Sequence, residues 1–199
     1  MRALISVHDK TGLDALAQGL TGLGFELVAS GGTAAAIEAL GLPVTPVESI
    51  TGFPELLGGR VKTLHPRIHA GILARRERDD DRDALARHGI GAFDLVCVNL
   101  YPFEQGVARG DVGEAEAVEL IDIGGPTLLR GAAKNFAHVA AVCRPADYGR
   151  VLAELREHGE IRRETRRELA AAAFATTAAY EAGIAGWFGG RGPFPDTLV

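Results

Sequence analysis

Lysine is rare in this chain, and its positions single out three segments that could do chemistry. Of the 21 lysine and arginine residues, only Lys10, Lys62 and Lys134 are lysines. Each lies in or beside a segment rich in glycine or small polar residues. Lysine is a compact charge whose pKa moves on burial, whereas arginine stays charged. These positions favour a chemical role for the three lysines. The alternative is that codon bias favours arginine throughout the chain and has left these three lysines by chance.

The segment ASGGT, residues 29–33, has the features of an anion site. It follows an apolar run and opens a helical pattern, so backbone N–H groups and the helix dipole point at one corner. Ser30 and Thr33 add hydroxyl groups. A plain tight turn with a threonine cap is the alternative. Lys10, after the neighbouring strand, favours a site for a single phosphate.

Two polar side chains lie at the end of the apolar run DLVCVNL, residues 94–100, and just beyond it. Asn99 could hydrogen-bond a ligand through its amide, and Tyr101 could donate from its phenol. The alternative is a strand exit with a proline turn.

The segment IDIGG places Asp122 beside two glycines, at the predicted end of a helix over residues 113–125. The alternative is a glycine cap at the helix C-terminus. The helix dipole disfavours an acid there, so Asp122 needs a partner. Lys134, on the next predicted helix over residues 126–135, could supply the charge.

The pair His65 and His69 has the i, i+4 spacing of metal ligands on a helix. No third ligand with a matching spacing accompanies it. We therefore predict no metal site.

The composition is that of a globular protein, with 47% hydrophobic residues, 24% charged residues and a net charge of −5. The charge argues against a general nucleic-acid binder. No apolar run is long enough for a membrane span, and the amino terminus does not resemble a signal peptide. Cys97 and Cys143 lie in apolar runs and are expected to be reduced core residues of a cytoplasmic protein.

Short apolar runs alternate with helical patterns along the first two thirds of the chain. This alternation predicts an α/β fold with a parallel sheet covered on both faces. Strands are expected within residues 3–7, 25–30, 43–47, 94–100 and 138–143. In such sheets ligands bind outside the carboxyl ends of the strands. Residues 6–12, 29–33 and 99–103 should therefore share one edge.

The character of the chain changes at residue 146. Two helical patterns follow without an intervening strand, and residues 189–199 read as a loop or linker. A stripe at helical spacing predicts a packing face. Its members are Leu169, Ala173, Thr176, Tyr180, Ile184 and Trp187.

Five segments together resemble the inosine monophosphate (IMP) cyclohydrolase domain of the bifunctional purine-biosynthesis family. In chain order they are SVHDKTG, ASGGT, TGFPELLGGRVKTLHPRIHAGILAR, CVNLYPF and IDIGGPTLLRGAAKN. The resemblance covers nearly the whole chain, and the combination of GGRVKTLHP with IDIGG and AAKN is highly specific. One departure is His8, which stands where the family usually has serine.

The resemblance implies a methylglyoxal-synthase-like, three-layer α/β fold with a mostly parallel sheet and C-terminal helices. Residues 1–145 would form the core and residues 146–199 a helical extension and linker of the same domain. It further implies a homodimer, no metal or organic cofactor, and a formyltransferase domain, fused or separate. The implied reaction closes 5-formamidoimidazole-4-carboxamide ribonucleotide (FAICAR) to IMP with loss of water, the last step of de novo purine biosynthesis.

The resemblance also implies roles for individual residues. The catalytic group falls on Lys62, Tyr101, Asp122 and Lys134. The residues that bind the phosphate would be Lys10, Ser30, Gly31, Gly32 and Thr33. The rest of the nucleotide would be bound by Arg60, Thr63, Asn99, Ile123, Gly124 and Gly125.

These roles suit the chemistry of ring closure. A nitrogen of low basicity must lose a proton while it attacks a formamide carbon, and an oxyanion forms. Asp122 could act as the base, with Lys134 tuning it, while Lys62 stabilises the oxyanion. Tyr101 could give a proton to the departing oxygen.

Two other functions share this fold. The residues VHDK also resemble the first loop of methylglyoxal synthase, but that enzyme expects an aspartate where this chain has Arg60. A nucleotide-sensing regulatory module is the second alternative. It would keep the phosphate corner without needing Lys62, Asp122 and Lys134 together.

Overall fold

The computed structural model describes residues 1–54, 57–108 and 112–190. Of the predicted tail at 189–199, residues 191–199 lie outside these ranges, and Gly189 is the last residue of a helix. The strands are β1 (Arg2–Val7), β2 (Glu26–Ala29), β3 (Thr45–Pro46), β4 (Leu95–Asn99) and β5 (Ala140–Val142). The helices are α1 (Leu13–Gly22), α2 (Gly31–Ala39), α3 (Val47–Thr51), α4 (Pro66–Leu73), α5 (Asp79–Arg87), α6 (Phe103–Val107), α7 (Glu114–Glu119), α8 (Gly124–Lys134), α9 (Tyr148–His158) and α10 (Arg163–Gly189).

The five strands form one sheet in the order β3-β2-β1-β4-β5. All four neighbouring pairs are parallel. The predicted strands are therefore confirmed, each within the residues expected from its apolar run except for one added residue at the start of β1. The fold class is confirmed as well.

Helices cover both faces of the sheet, because successive side chains of a strand point to opposite faces. Ile5 and Cys97 pack in a core with α1, α2 and α9. Leu4 and Val96 pack in a second core with α4, α8 and α10. All four side chains are fully buried. The result is the expected three-layer arrangement.

The C-terminal helices are part of this packing. Leu169 of α10 belongs to the first core and Ala173 to the second. Glu154 joins α9 to α10, since its buried carboxylate accepts a hydrogen bond from the Thr165 hydroxyl at 2.6 Å and pairs with Arg162 at 3.0 Å. The division at residue 145 stays a prediction.

The segment around Asp122 differs from the prediction. The helix expected over 113–125 ends at Glu119, and the two glycines begin α8 instead of closing α7. The Asp122 carboxylate accepts a hydrogen bond from the Gly125 N–H at 2.8 Å. A short acidic side chain that binds backbone N–H groups favours a helix start. Pro126 is tolerated as the third residue of α8 because the first N–H groups of a helix have no intrahelical partner.

Both cysteines are free and buried, as predicted. Burial raises the pKa of the Cys97 thiol to about 12. Within the described ranges, no helix combines the length and the apolar character that a membrane span requires.

Candidate functional site

A cavity of about 280 Å³ opens at the carboxyl edge of the sheet, where the segments after β1, β2 and β4 meet. This confirms the predicted edge. Nine of the predicted site residues line it: Lys10, Ser30, Gly31, Gly32, Thr33, Lys62, Asn99, Tyr101 and Asp122. An adjoining space of about 690 Å³ is lined by five more: Arg60, Thr63, Ile123, Gly124 and Gly125.

The phosphate corner lies at the N-terminus of α2. Gly31 begins the helix with φ of 52°, a conformation that favours glycine. The Thr33 hydroxyl accepts from the Val7 N–H and donates to the Val7 carbonyl, both at 3.1 Å, which ties α2 to β1. The Lys10 ammonium contacts the Val7 carbonyl and lies 3.4 Å from the Thr33 hydroxyl. A cation therefore stands beside the helix N-terminus, as an anion site requires.

Asn99 holds the loop that carries Lys10. Its Oδ1 accepts from the His8 N–H at 2.6 Å and the Asp9 N–H at 2.9 Å, and its Nδ2 donates to the Asp9 carbonyl at 2.8 Å. Most of the hydrogen-bonding capacity of the amide is thus used within the protein. The contact of Asn99 with a ligand stays a prediction. The hydrogen bonds that the structure shows hold the loop after β1 in its shape.

Asp122 is held between α7 and α8. Its N–H donates to the Tyr180 hydroxyl at 2.7 Å, and that hydroxyl donates to the Leu120 carbonyl at 3.3 Å. Burial raises the pKa of the Asp122 carboxyl, and hydrogen bonds from Gly125 and Gly124 partly offset this. The predicted repulsion by a helix C-terminus is wrong, because the carboxylate faces the N-terminus of α8, where the dipole favours negative charge.

The glycines of IDIGG allow this close packing. A methyl group on Gly125 would lie 2.3 Å from Asp122 Oδ2, and one on Gly124 would lie 2.5 Å from Thr63 Oγ1. Thr63 is buried. The two glycines therefore bring the loop of Lys62 and the carboxylate of Asp122 together.

Lys62 and Tyr101 complete the polar wall. The Lys62 ammonium lies 3.3 Å from Glu48 Oε1. The Tyr101 ring is half exposed and packs against the His8 imidazole, with 4.7 Å between ring centroids. Arg60 forms an exposed ion pair with Glu119 at the outer rim.

Lys134 does not reach the cavity of its own chain. It is the last residue of α8, whereas Asp122 precedes the first. The 11 residues of α8 span ten helical steps, which corresponds to about 15 Å along the axis. The next residue, Asn135, donates to the carbonyls of Ile72 and Ala74. The predicted contact between Lys134 and Asp122 is therefore wrong within one chain.

Sequence reasoning missed two residues at the site. Tyr180 was assigned to a packing face, and its hydroxyl binds the Asp122 backbone instead. Glu48 belonged to no motif, and it contacts Lys62.

His65 has a structural contact. Its Nδ1 accepts from the Arg67 N–H at 3.1 Å and caps α4. Among the residues that the structure covers, no group of three or more His, Cys, Asp and Glu side chains could hold a metal ion.

Family models and known proteins together match the whole length of the chain. The MGS-like domain model matches residues 12–127, and the AICARFT/IMPCHase bienzyme model matches residues 132–198. The bifunctional purine biosynthesis protein PurH of Myxococcus xanthus strain DK1622 is 53% identical over 200 residues, and that of Lacticaseibacillus casei strain BL23 is 56% identical over 195. These alignments cover 100% and 98% of this chain but 39% and 38% of the relatives.

A solved structure extends the comparison to the fold. The crystal structure of ForH superposes with a TM-score of 0.84 at 40% sequence identity, covering 95% of this chain and 97% of that one. The chain therefore belongs to the family of MGS-like domains, in the form that occurs in the AICARFT/IMPCHase bienzymes.

Proposed function

We propose that this chain is an IMP cyclohydrolase, which closes FAICAR to IMP with loss of water. One observation carries the proposal: a phosphate corner, a lysine ammonium and a partly buried carboxyl of raised pKa line the same cavity. A nucleotide held at one end would place its reacting groups beside a cation and a base. The relatives named PurH, which are purine biosynthesis proteins, support the same substrate class.

Binding is assigned to the α2 corner and its neighbours. The 5′-phosphate would bind at the N–H groups of Gly31 and Gly32, with Lys10 as counter-charge. Arg60, Thr63, Asn99, Ile123, Gly124 and Gly125 would contact or shape the space for the rest of the nucleotide. Holding both reacting groups of one substrate in near-attack geometry is itself a large part of catalysis.

The chemical step needs one base and one cation. The carboxamide nitrogen attacks the formyl carbon, a C–N bond forms, and the formyl C=O becomes an oxyanion. Asp122 takes the proton from the nitrogen, since burial has already made its carboxylate more basic. Lys62 stabilises the oxyanion as a positioned charge.

Loss of water completes the aromatic ring. Protonated Asp122 returns its proton to the oxyanion, which becomes a hydroxyl, and a second proton, which we assign to Tyr101, lets the hydroxyl leave as water. The nitrogen that carried the formyl group loses its proton to the Tyr101 phenolate as the C=N bond forms. Because Tyr101 is half exposed at the cavity mouth, the departing water has a path to solvent.

The assembly is also part of the proposal. Lys134 keeps its predicted catalytic role only if a second copy of the chain brings it to the cavity, and this requirement favours a homodimer. The chain spans about two fifths of the PurH relatives, which are bifunctional. We propose a formyltransferase domain, fused or separate, as the source of FAICAR, and a cytoplasmic location.

The regulatory module of the same fold remains the competing function. It would bind a nucleotide without converting it. Incubating the purified chain with FAICAR and following ring closure by absorbance separates the two, because only a cyclohydrolase forms IMP faster than the buffer control.

Calorimetry tests the phosphate corner separately. We expect IMP to bind at least about tenfold more tightly than inosine, since one charge-assisted contact contributes about 1.5–3 kcal/mol. Equal affinity for nucleotide and nucleoside would contradict the assignment of Lys10 and α2.

A further inference from the structure

The contact between Glu48 and Lys62 has no place in the mechanism above. Glu48 lies on α3, and its Oε1 is 3.3 Å from the Lys62 ammonium. The Lys62 side chain is 17% exposed and that of Glu48 is 34% exposed. The pair is therefore partly shielded from solvent, and its lysine lines the 280 Å³ cavity.

Lys62 and Lys10 both lie beside the same helix N-terminus. A methyl group on Gly31, the first residue of α2, would lie 3.4 Å from the Lys62 ammonium. The Lys10 ammonium lies 3.4 Å from the hydroxyl of Thr33, two residues further along. Both ammonium groups line the 280 Å³ cavity. A phosphate dianion bound at α2 would attract both of them.

Glu48 provides an opposing attraction for only one of these cations. Its carboxylate draws Lys62 toward α3, whereas Lys10 is held by the Val7 carbonyl and Thr33 at the phosphate corner. Among the described residues that line the cavity, Asp122 is the acidic one. Glu48 lines a neighbouring space of about 200 Å³ together with Lys62.

We propose that Glu48 is a positioning residue that keeps the Lys62 ammonium from binding the substrate phosphate. Lys10 then serves the phosphate, and Lys62 remains at the reacting end of the nucleotide. The predicted change in kcat rests on the proposed function, but the predicted change in IMP affinity does not.

Glu48→Gln removes the charge and keeps the size of the side chain. Lys62 should then turn toward the phosphate. We expect kcat to fall by about tenfold to a hundredfold, the scale of a misplaced catalytic group. The affinity for IMP should rise severalfold. The matched control is Glu38→Gln on the exposed face of α2, which should change neither quantity.

A double-variant cycle separates positioning from a general charge effect. On a Lys62→Ala background, Glu48→Gln should change neither kcat nor IMP affinity, because Glu48 acts through Lys62. Equal effects on both backgrounds would overturn the proposal, and so would a kcat for Glu48→Gln within twofold of the parent. If Glu48→Gln did not fold, Glu48→Asp would replace it, with a smaller kcat loss and unweakened IMP binding expected.

The binding arm keeps the inference testable if the parent does not turn FAICAR over. That result would remove the proposed function, while calorimetry with IMP and inorganic phosphate would still test Glu48. Tighter binding by Glu48→Gln that disappears with Lys62→Ala would support the positioning role. Unchanged or weaker binding would contradict it.

Discussion

At the scale of single residues, Asp122 shows how neighbouring groups prepare one carboxylate. Burial makes the charged form costly, while N–H groups of α8 partly compensate it. Tyr180 fixes the backbone from α10. The carboxylate is therefore more basic than in water and yet held in one orientation, which is what a general base needs.

The raised pKa of Asp122 predicts the acid limb of the pH–rate profile. A base works only when ionised, so kcat should fall with decreasing pH at a value above the ordinary aspartate pKa of 3.8. The measurement is kcat against pH for the parent. An acid limb at or below the ordinary value would contradict the role of Asp122.

The same shift predicts opposite effects of Asp122→Asn on activity and stability. The folded state binds the Asp122 proton more tightly than the unfolded chain does, so stability falls as pH rises through the raised pKa. Asparagine removes this cost at neutral pH. We expect Tm to be unchanged or higher at pH 7, with the difference shrinking in acid. A clearly lower Tm at pH 7 would show that the charge stabilises the fold.

Residue identities at the site were predictable where a motif carried them, and otherwise not. Lys62 and Asp122 lie in glycine-flanked segments whose composition points to ligands. Glu48 lies in PVES, an unremarkable stretch, and becomes important only because α3 packs beside the loop of Lys62. Such contacts between distant segments are set by packing, which local patterns do not encode.

At the scale of elements, strands were easier to predict than the helix boundary at Asp122. Fully buried parallel strands give continuous apolar runs, so β1 and β4 are visible in the sequence. The end of α7 depends on a side chain that binds the backbone of the next helix. Glycine is common both after the end and at the start of helices, so the two glycines of IDIGG did not indicate whether a helix ends or begins there.

Gly125→Ala tests the close packing in IDIGG. The added methyl group would meet Asp122 Oδ2 at 2.3 Å and Leu100 Cδ2 at 2.8 Å, so the carboxylate must move. We expect kcat to fall by at least about tenfold. The matched control is Gly22→Ala at the end of α1, where the methyl group meets nothing within 4 Å. Equal activity of Gly125→Ala and the control would show that the carboxylate tolerates displacement.

At the scale of the whole molecule, Lys134 connects the site to assembly. α8 begins at the cavity and ends near the carbonyls of Ile72 and Ala74, next to Asn135. The resemblance that implied a catalytic Lys134 gave no distance between Lys134 and Asp122. Sequence order does not reveal which end of a helix faces the ligand. A catalytic Lys134 must therefore come from another copy.

Complementation tests that arrangement. We expect Asp122→Asn and Lys134→Ala each to lose activity alone. Co-refolding equal amounts should restore roughly a quarter of the parental sites, because half of random dimers are mixed and one site in each mixed dimer is intact. Size-exclusion chromatography would confirm the dimers. Absence of recovery in confirmed mixed dimers would remove Lys134 from the partner's site, and full activity of Lys134→Ala would remove it from catalysis.

The most direct test of the central claim is the single-turnover rate of FAICAR ring closure with excess protein. The parent, Lys62→Ala and Asp122→Asn would be compared after calorimetry has shown that each binds IMP. We expect the parent to form IMP far faster than buffer, and each variant to be slower by about 10²–10⁴-fold. A parental rate equal to the buffer rate, or variants as fast as the parent, would contradict the assignment of ring closure to this cavity.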